Sequence, residues 1–252
     1  MRGILLAASA VALSSSFASA ADMPVKAPVY KAPPPVAAAT WTGCYVGGNV
    51  GGAWAHKSFF RTNDEGIPVA LNDGSHIASG WIGGGQIGCD YQLNNSWVIG
   101  IRGMGDWADL TGDNFVGHGT IDQHVHTGVS AFGTLTGQIG YLLIPNLELY
   151  ALGGAAWIRD HHWITIVIPA FNGTSSVADT TRTGYDIGVG LSWMFARNWD
   201  AWVEYDHMDF GTKAVDFVGV AAGINVGKVS IFNVTQSMDK VLVGISYRFG
   251  MQ

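Results

Sequence analysis

The chain has 252 residues, room for one all-β domain plus appendages. With 13 Lys+Arg against 19 Asp+Glu, a net charge of -6, it lacks the concentrated basic surface that nucleic acid requires. Mean hydropathy is +0.22, yet no run of ~18 apolar residues follows the first segment; a spanning helix is excluded, and apolar surface must be spread over strands.

Residues 1–20 read as a secretory signal peptide. Arg2 supplies the positive start, Ile4 to Leu13 the apolar core, and Ala18-Ser19-Ala20 an A-x-A cleavage site. Export permits a disulfide, and Cys44 and Cys89 are the two cysteines, so one pairing exists. Residues 21–40 form a Pro/Ala linker, extended at ~3.1 Å per residue in polyproline II. It reads as a periplasmic spacer; a second reading has Lys26 and Lys31 hold it to an anionic envelope polymer such as peptidoglycan.

From Trp41 onward the chain alternates with period two. Residues 41–54 set Cys44, Val46, Val50 and Trp54 against Tyr45, Gly47, Asn49 and Gly51. Residues 78–92 set Trp81, Ile87, Cys89 and Tyr91 against Gln86, Asp90 and Gln92. Residues 97–107 begin and end their apolar face with Trp97 and Trp107, and carry Arg102 and Asp106 on the other. At ~3.3 Å per residue those indoles lie roughly 33 Å apart, and a ~40° tilt brings this to about 25 Å, the height of the apolar band of an outer-membrane barrel. The same alternation recurs over 131–142, 147–157, 184–195, 199–209 and 240–249.

These eight strands of about ten residues are joined alternately by tight turns and long connections. Leu93 to Ser96, Leu143 to Asn146 and Phe195 to Asn198 are the turns; residues 55–77, 108–130, 158–183 and 210–239 are the long segments. The expected fold is all-β: an eight-stranded antiparallel up-and-down transmembrane β-barrel over 41–252, with short periplasmic turns and four long extracellular loops. In a barrel this narrow side chains fill the interior, so the polar face is the inner one and the apolar face meets lipid. Trp97, Trp107, Trp157, Trp199, Tyr247 and Phe249 are the expected interface aromatics. Apolar runs at 163–168, 215–220 and 229–234 could extend hairpins above the membrane, and a ten-strand count stays open.

Several segments carry a family resemblance: Thr42 to Trp54 (TGCYVGGNVGGAW), Gly83 to Gln92 (GGGQIGCDYQ), Trp97 to Gly103, Gly133 to Tyr141 (GTLTGQIGY), Tyr150 to Ala156 (YALGGAA), Asn198 to Tyr205 (NWDAWVEY) and Val243 to Phe249 (VGISYRF). Their order resembles the alphaproteobacterial outer-membrane immunogenic proteins, with their OmpA/OmpX-like eight-stranded barrel. The resemblance covers the signal, the linker and all eight strands, not the loops. It implies an abundant surface structural protein or small porin in the outer membrane of a Gram-negative cell, with haemin binding in some relatives. The chain departs from the pattern at Thr136, Gln138 and Trp202, where relatives usually carry basic residues, and at Cys44 and Cys89, which replace aromatics. It also runs on past Phe249, where a terminal Phe usually serves as the signal to the assembly machinery.

By parity Arg102, Glu204, Glu148, Asp186, Asp106 and Arg248 face the lumen. A buried charge needs a partner, so Arg102 is expected to meet Glu204 across the barrel, and Glu148 to meet Arg248 near the periplasmic end. Cys44 and Cys89 fall on neighbouring strands in a register that sets them opposite one another, a candidate disulfide. All eight histidines lie in or beside the long segments. His124, His126, His161 and His162 form the tightest clusters, candidate ligands for haem iron or a divalent metal, although loops also receive histidine by default. Gly83 to Gly88 matches G-x-G-x-x-G without the following helix that nucleotide binding needs. His126 and Ser130 are the nearest candidates for lipid A chemistry, but the chain reads as no enzyme and needs no cofactor. The leading expectation is a structural surface barrel with a plugged lumen, embedded in outer-membrane lipid and lipopolysaccharide. A narrow diffusion channel and surface haem or metal capture are the alternatives.

Overall fold

The computed structural model describes residues 40–250 except 65–66, 119–120, 169–170 and 222–223. The signal peptide and nearly all of the linker, with Lys26 and Lys31, lie outside the described residues.

Eight strands follow in order: β1 (Gly43–Asp64), β2 (Ile67–Gln92), β3 (Trp97–His118), β4 (Ile121–Ile144), β5 (Leu147–Ile168), β6 (Phe171–Ala196), β7 (Trp199–Ala221) and β8 (Ile224–Phe249). Each pairs antiparallel with the next, and β8 closes on β1. The eight-stranded count therefore holds over the ten-stranded one. The three tight turns fall where Asn and Pro stand: Leu93 to Ser96, Pro145-Asn146 and Arg197-Asn198. Asn94 Oδ1 accepts from the backbone N–H groups of Ser96 and Trp97, the local bond that makes Asn a turn residue.

The strands are longer than the sequence pattern suggests, 22–26 residues rather than about ten. The long connections are mostly strand, continuing the barrel wall above the membrane. Lipid no longer demands an apolar outer face there, so the clean alternation that marks a membrane strand disappears although the ladder continues.

Inside and outside follow parity along every membrane segment. Val46, Val50, Ile87, Ile101, Ile139, Val189, Val203, Val243 and Ile245 face outward. The indoles of Trp81 and Trp107 are 81% and 77% exposed and stand on the extracellular rim with Trp54 and Trp157. Trp97 packs on Tyr141 and Trp199 on Tyr247, each at 5.1 Å between centroids, on the periplasmic rim. Such a band is stable only against lipid, and the two rims are where indole and phenol rings prefer to sit. On the outer face Cys44 stands opposite Cys89 in the β1–β2 register, and a disulfide joins them.

Candidate functional site in the barrel lumen

Among the described residues, the interior is filled by apolar layers alternating with charge clusters. At the periplasmic end Trp41, Val98, Leu142 and Met194 form the first apolar layer. Trp41 precedes β1 and turns into the lumen: its indole N–H donates to the Pro145 carbonyl at 3.1 Å, and its backbone N–H donates to Gln92 Oε1.

Above it sits Arg248. Its Nε donates to Asp200 Oδ1 and its Nη1 to Asp90 Oδ2, both at 2.7 Å, and Nη1 also reaches the Trp41 carbonyl. The guanidinium lies 4.7 Å over the Trp41 ring and 4.8 Å over Tyr45. Ser192 Oγ and Gln138 Nε2 satisfy the remaining oxygens of Asp200 and Asp90. This corrects the expected Glu148–Arg248 pair. β8 adjoins β7 and β1, so Asp200 on β7 and Asp90 one strand past β1 are the nearer carboxylates, and they capture the guanidinium. Glu148 is buried at the β4–β5 wall instead. A Cβ on Gly140 would lie 1.8 Å from its Oε1, so Gly140 makes room for the carboxyl.

At mid-height Arg102 and Glu204 meet. Nη1 and Nη2 of Arg102 donate to the two oxygens of Glu204, each at 2.7 Å, and Tyr150 Oη adds a third bond at 2.7 Å. A bidentate fork of this kind fixes both partners in position and direction. Two glycines make the layer fit. A Cβ at Gly88 would lie 2.5 Å from the Tyr45 ring, and one at Gly190 2.4 Å from the Tyr150 ring. Trp202 Nε1 and Gln86 Nε2 both donate to Ser246 Oγ, closing the remaining width. The space left among these side chains is ≈ 10 Å³, about that of one water.

Higher still, Lys240 pairs with Asp206 at 3.1 Å and lies 5.3 Å over the Phe132 ring. Sequence reasoning passed over Lys240, although its parity with Leu242 and Arg248 marks it as inward. Asp106 and Asp186 face the lumen as their parity requires. The central apolar cluster, with Met104, Leu110, Phe132, Met208 and Leu242, packs around and above this level. Met104, Leu152 and Trp202, inward by parity, are all buried.

Above the membrane a third cluster centres on Asp160. Lys57 Nζ donates to its Oδ1 at 3.0 Å, Gln236 Nε2 donates to the same oxygen at 3.1 Å, and Arg182 Nε stands 3.6 Å from Oδ2. Phe59, Phe217 and Phe232 cap it. Sequence reasoning assigned none of these residues, because they lie in segments that look like loops.

Of the four histidines singled out, the three whose side chains are described, His126, His161 and His162, are not brought together. His126 pairs with Asp113, and His161 Nδ1 with Asp179 Oδ1 at 2.7 Å, both at the surface. His162 points inward, 1% exposed, between Phe59 and Phe217. The His124 side chain lies outside the described residues. Among the described residues no group of three or more His, Cys, Asp or Glu side chains is placed to hold a metal ion.

His76 stacks on Phe59 and shares a hydrogen bond with Thr127. Burial, reinforced by Lys57, lowers it from its ordinary 6.5 to about 4, and burial drives His162 well below its ordinary value. Between about pH 6.5 and about pH 4 the unfolded chain therefore binds more protons than the folded one, so stability falls as pH drops through that window. The thermal midpoint of the refolded protein is expected to fall across it, and to fall less in His76→Asn. Equal slopes in the two proteins would contradict this origin.

A closed ring of lipid-facing strands around a filled lumen defines a transmembrane β-barrel protein. The chain matches the family model described as outer membrane protein beta-barrel domain over residues 5–249, and it belongs to this family. It is 30% identical over 260 residues to the 31 kDa outer-membrane immunogenic protein of Brucella melitensis, covering 99% of this chain and 100% of that one. An uncharacterized protein of Coxiella burnetii is 27% identical over 250 residues, covering 94% of this chain and 91% of the relative. Among solved structures, the outer membrane protease OmpT of Escherichia coli aligns with a TM-score of 0.51 at 8% identity, covering 83% of this chain and 98% of that one; the likeness is one of fold. The protein is an outer-membrane β-barrel of a Gram-negative cell, related to immunogenic surface proteins.

Proposed function

We propose that this barrel is a structural surface protein whose lumen is closed, contributing to envelope integrity through its grip on the membrane rather than through transport. The Arg102–Glu204–Tyr150 layer carries this reading. It spans the lumen at mid-membrane with three bonds of 2.7 Å, and apolar layers lie above and below it. An eight-stranded barrel has an interior that side chains just fill. The barrel meets lipid along its apolar band and lipopolysaccharide at its extracellular rim. The barrel begins at Trp41 on its periplasmic end, and the role proposed for the linker is to space the barrel from the peptidoglycan or to tether the two.

Planar-bilayer recording of the refolded protein tests this. No stable unitary conductance is expected from the wild type. A steady ohmic conductance carried by the correctly inserted barrel would overturn the closed-lumen reading in favour of a narrow channel.

A further inference from the structure

The ladder around the barrel is continuous in the membrane but not above it. Among the described residues, β2–β3 pairing stops at Ser79↔Thr111, although β2 continues upward on β1 and β3 continues upward on β4. On the opposite side, β6–β7 pairing stops at Tyr185↔Asp209 and resumes only at Val177↔Val218 and Ser176↔Gly219. The other six ladders run to the tops of their strands or close to them, as far as His118↔Ile121, Ile168↔Phe171, Ala221↔Ile224 and Asp64↔Ile67. The wall above the membrane is therefore two four-stranded sheets facing one another. One is β3–β4–β5–β6 and the other β7–β8–β1–β2, with a slit at β2/β3 and a window at β6/β7.

Side chains, not ladder, tie the two sheets together along these gaps. Lys57 and Gln236 of the second sheet reach Asp160 of the first. Arg182 of the first donates to the Val234 carbonyl of the second at 2.7 Å. Lys213 Nζ crosses the window to the Thr181 carbonyl at 2.8 Å, and His76 reaches Thr127 across the slit. Two of these five links end on one oxygen of Asp160. Among the described residues the hub is also under-satisfied: Arg182 Nη2, Gln236 Oε1, His76 Nδ1 and both ring nitrogens of His162 have no hydrogen-bond partner, and Arg182 Nε and Asp160 Oδ2 come no nearer than 3.6 Å. Each such group would be better solvated by water than it is in the closed interior. Parting the sheets would hydrate groups that the closed form leaves unmatched among the described residues.

We propose that the extracellular half of this barrel is a two-jawed clamp, latched at Asp160, that parts along the β2/β3 slit and the β6/β7 window while the membrane wall stays closed. Opening uncovers the aromatic lining of Phe59, Phe217 and Phe232 to the medium. The pairs at Val177↔Val218 and Ser176↔Gly219 form the last tie between the jaw tips.

Hydrogen exchange of the refolded full chain, resolved by peptide, tests the clamp. In the wild type, amides of residues 178–183 and 211–217 and of residues 67–77 and 113–118 are expected to exchange faster than ladder-paired amides of β4–β5 and β8–β1 at the same height. Asp160→Asn should accelerate exchange along both gaps by roughly tenfold or more, leaving the membrane segments and the heat-modifiable gel mobility unchanged. Gln236→Leu removes one bond of the latch without uncovering a charge, and should act in the same places to a smaller extent; it decides the matter if Asp160→Asn fails to assemble. Uniform protection around the wild-type extracellular wall would overturn the proposal. So would an effect of these variants spread evenly over all eight ladders, or no effect along the gaps.

Discussion

Replacing Arg102 by Met is expected to destabilise the folded barrel by about 3–5 kcal/mol, the cost of leaving a buried charge without its partner. Glu204 would keep the Tyr150 hydroxyl but lose both guanidinium bonds, at a level with room for about one water. The opposite deletion, Glu204→Gln, should cost a similar amount by leaving the guanidinium uncompensated. Joining the two in Arg102→Met/Glu204→Gln should recover a large part of the loss, because the remaining groups are neutral and the volume is nearly kept. Urea titration of the refolded barrel, read by heat-modifiable mobility, gives the three values and hence the coupling. If Arg102→Met costs no more than a surface exchange, within about 0.5 kcal/mol, the layer does not hold the lumen together.

Arg248→Met should have an effect of the same order, about 3–5 kcal/mol, and a more local signature. Arg248 is the common partner of Asp90 and Asp200, so its loss leaves two carboxylates facing one another in a closed space. It also holds Trp41 through the carbonyl and the ring face, so the segment around Thr40 to Thr42 should become accessible to protease in the variant. Arg197→Met in the exposed β6–β7 turn is the matched control and should stay within about 0.5 kcal/mol of wild type. Equal costs for the two arginines, or a protected Trp41 in Arg248→Met, would show that the periplasmic end does not depend on this cluster.

Both effects begin from residues whose inward direction was legible in the sequence, yet only one of the partners was. Arg102 and Glu204 both sit near the middle of the membrane segments of their strands, 97–107 and 199–209. Uncertainty in relative height therefore mattered little to them, and their long side chains reach across a narrow lumen. Glu148 and Arg248 sit at strand ends, where register decides which carboxylate comes nearest. Asp90 and Asp200 also face inward by alternation, but nothing in the linear pattern ranks three carboxylates by distance from one guanidinium. Trp41 was missed for another reason. The alternation is read from Trp41 and gives it the parity of Tyr45, but the strand starts only at Gly43, and the place of the indole in the lumen is set by Pro145, 104 residues away.

The extracellular half was the least legible. Lys57, Asp160, Arg182 and Gln236 occupy segments without clean alternation. Above the membrane both faces of a strand tolerate polar side chains, so the period that marks a strand fades while the backbone ladder does not. His162 illustrates the consequence. Beside His161 in the sequence it reads as half of an exposed pair, but alternation along β5 turns the two rings to opposite faces, one outward to Asp179 and one inward among phenylalanines.

Taken by itself, the sequence determined what period-two geometry and the bilayer impose locally: eight membrane segments, which side chains face lipid, where the tight turns fall, and where the aromatic rims lie. Those follow from each strand alone, since parity is a property of neighbouring residues and lipid rejects a polar face. Only the tertiary structure decided which carboxylates Arg248 and Lys57 meet, how far the wall rises above the membrane and where its ladder is interrupted. These depend on the relative heights of strands around a closed ring, a sum of eight registers that no single segment carries.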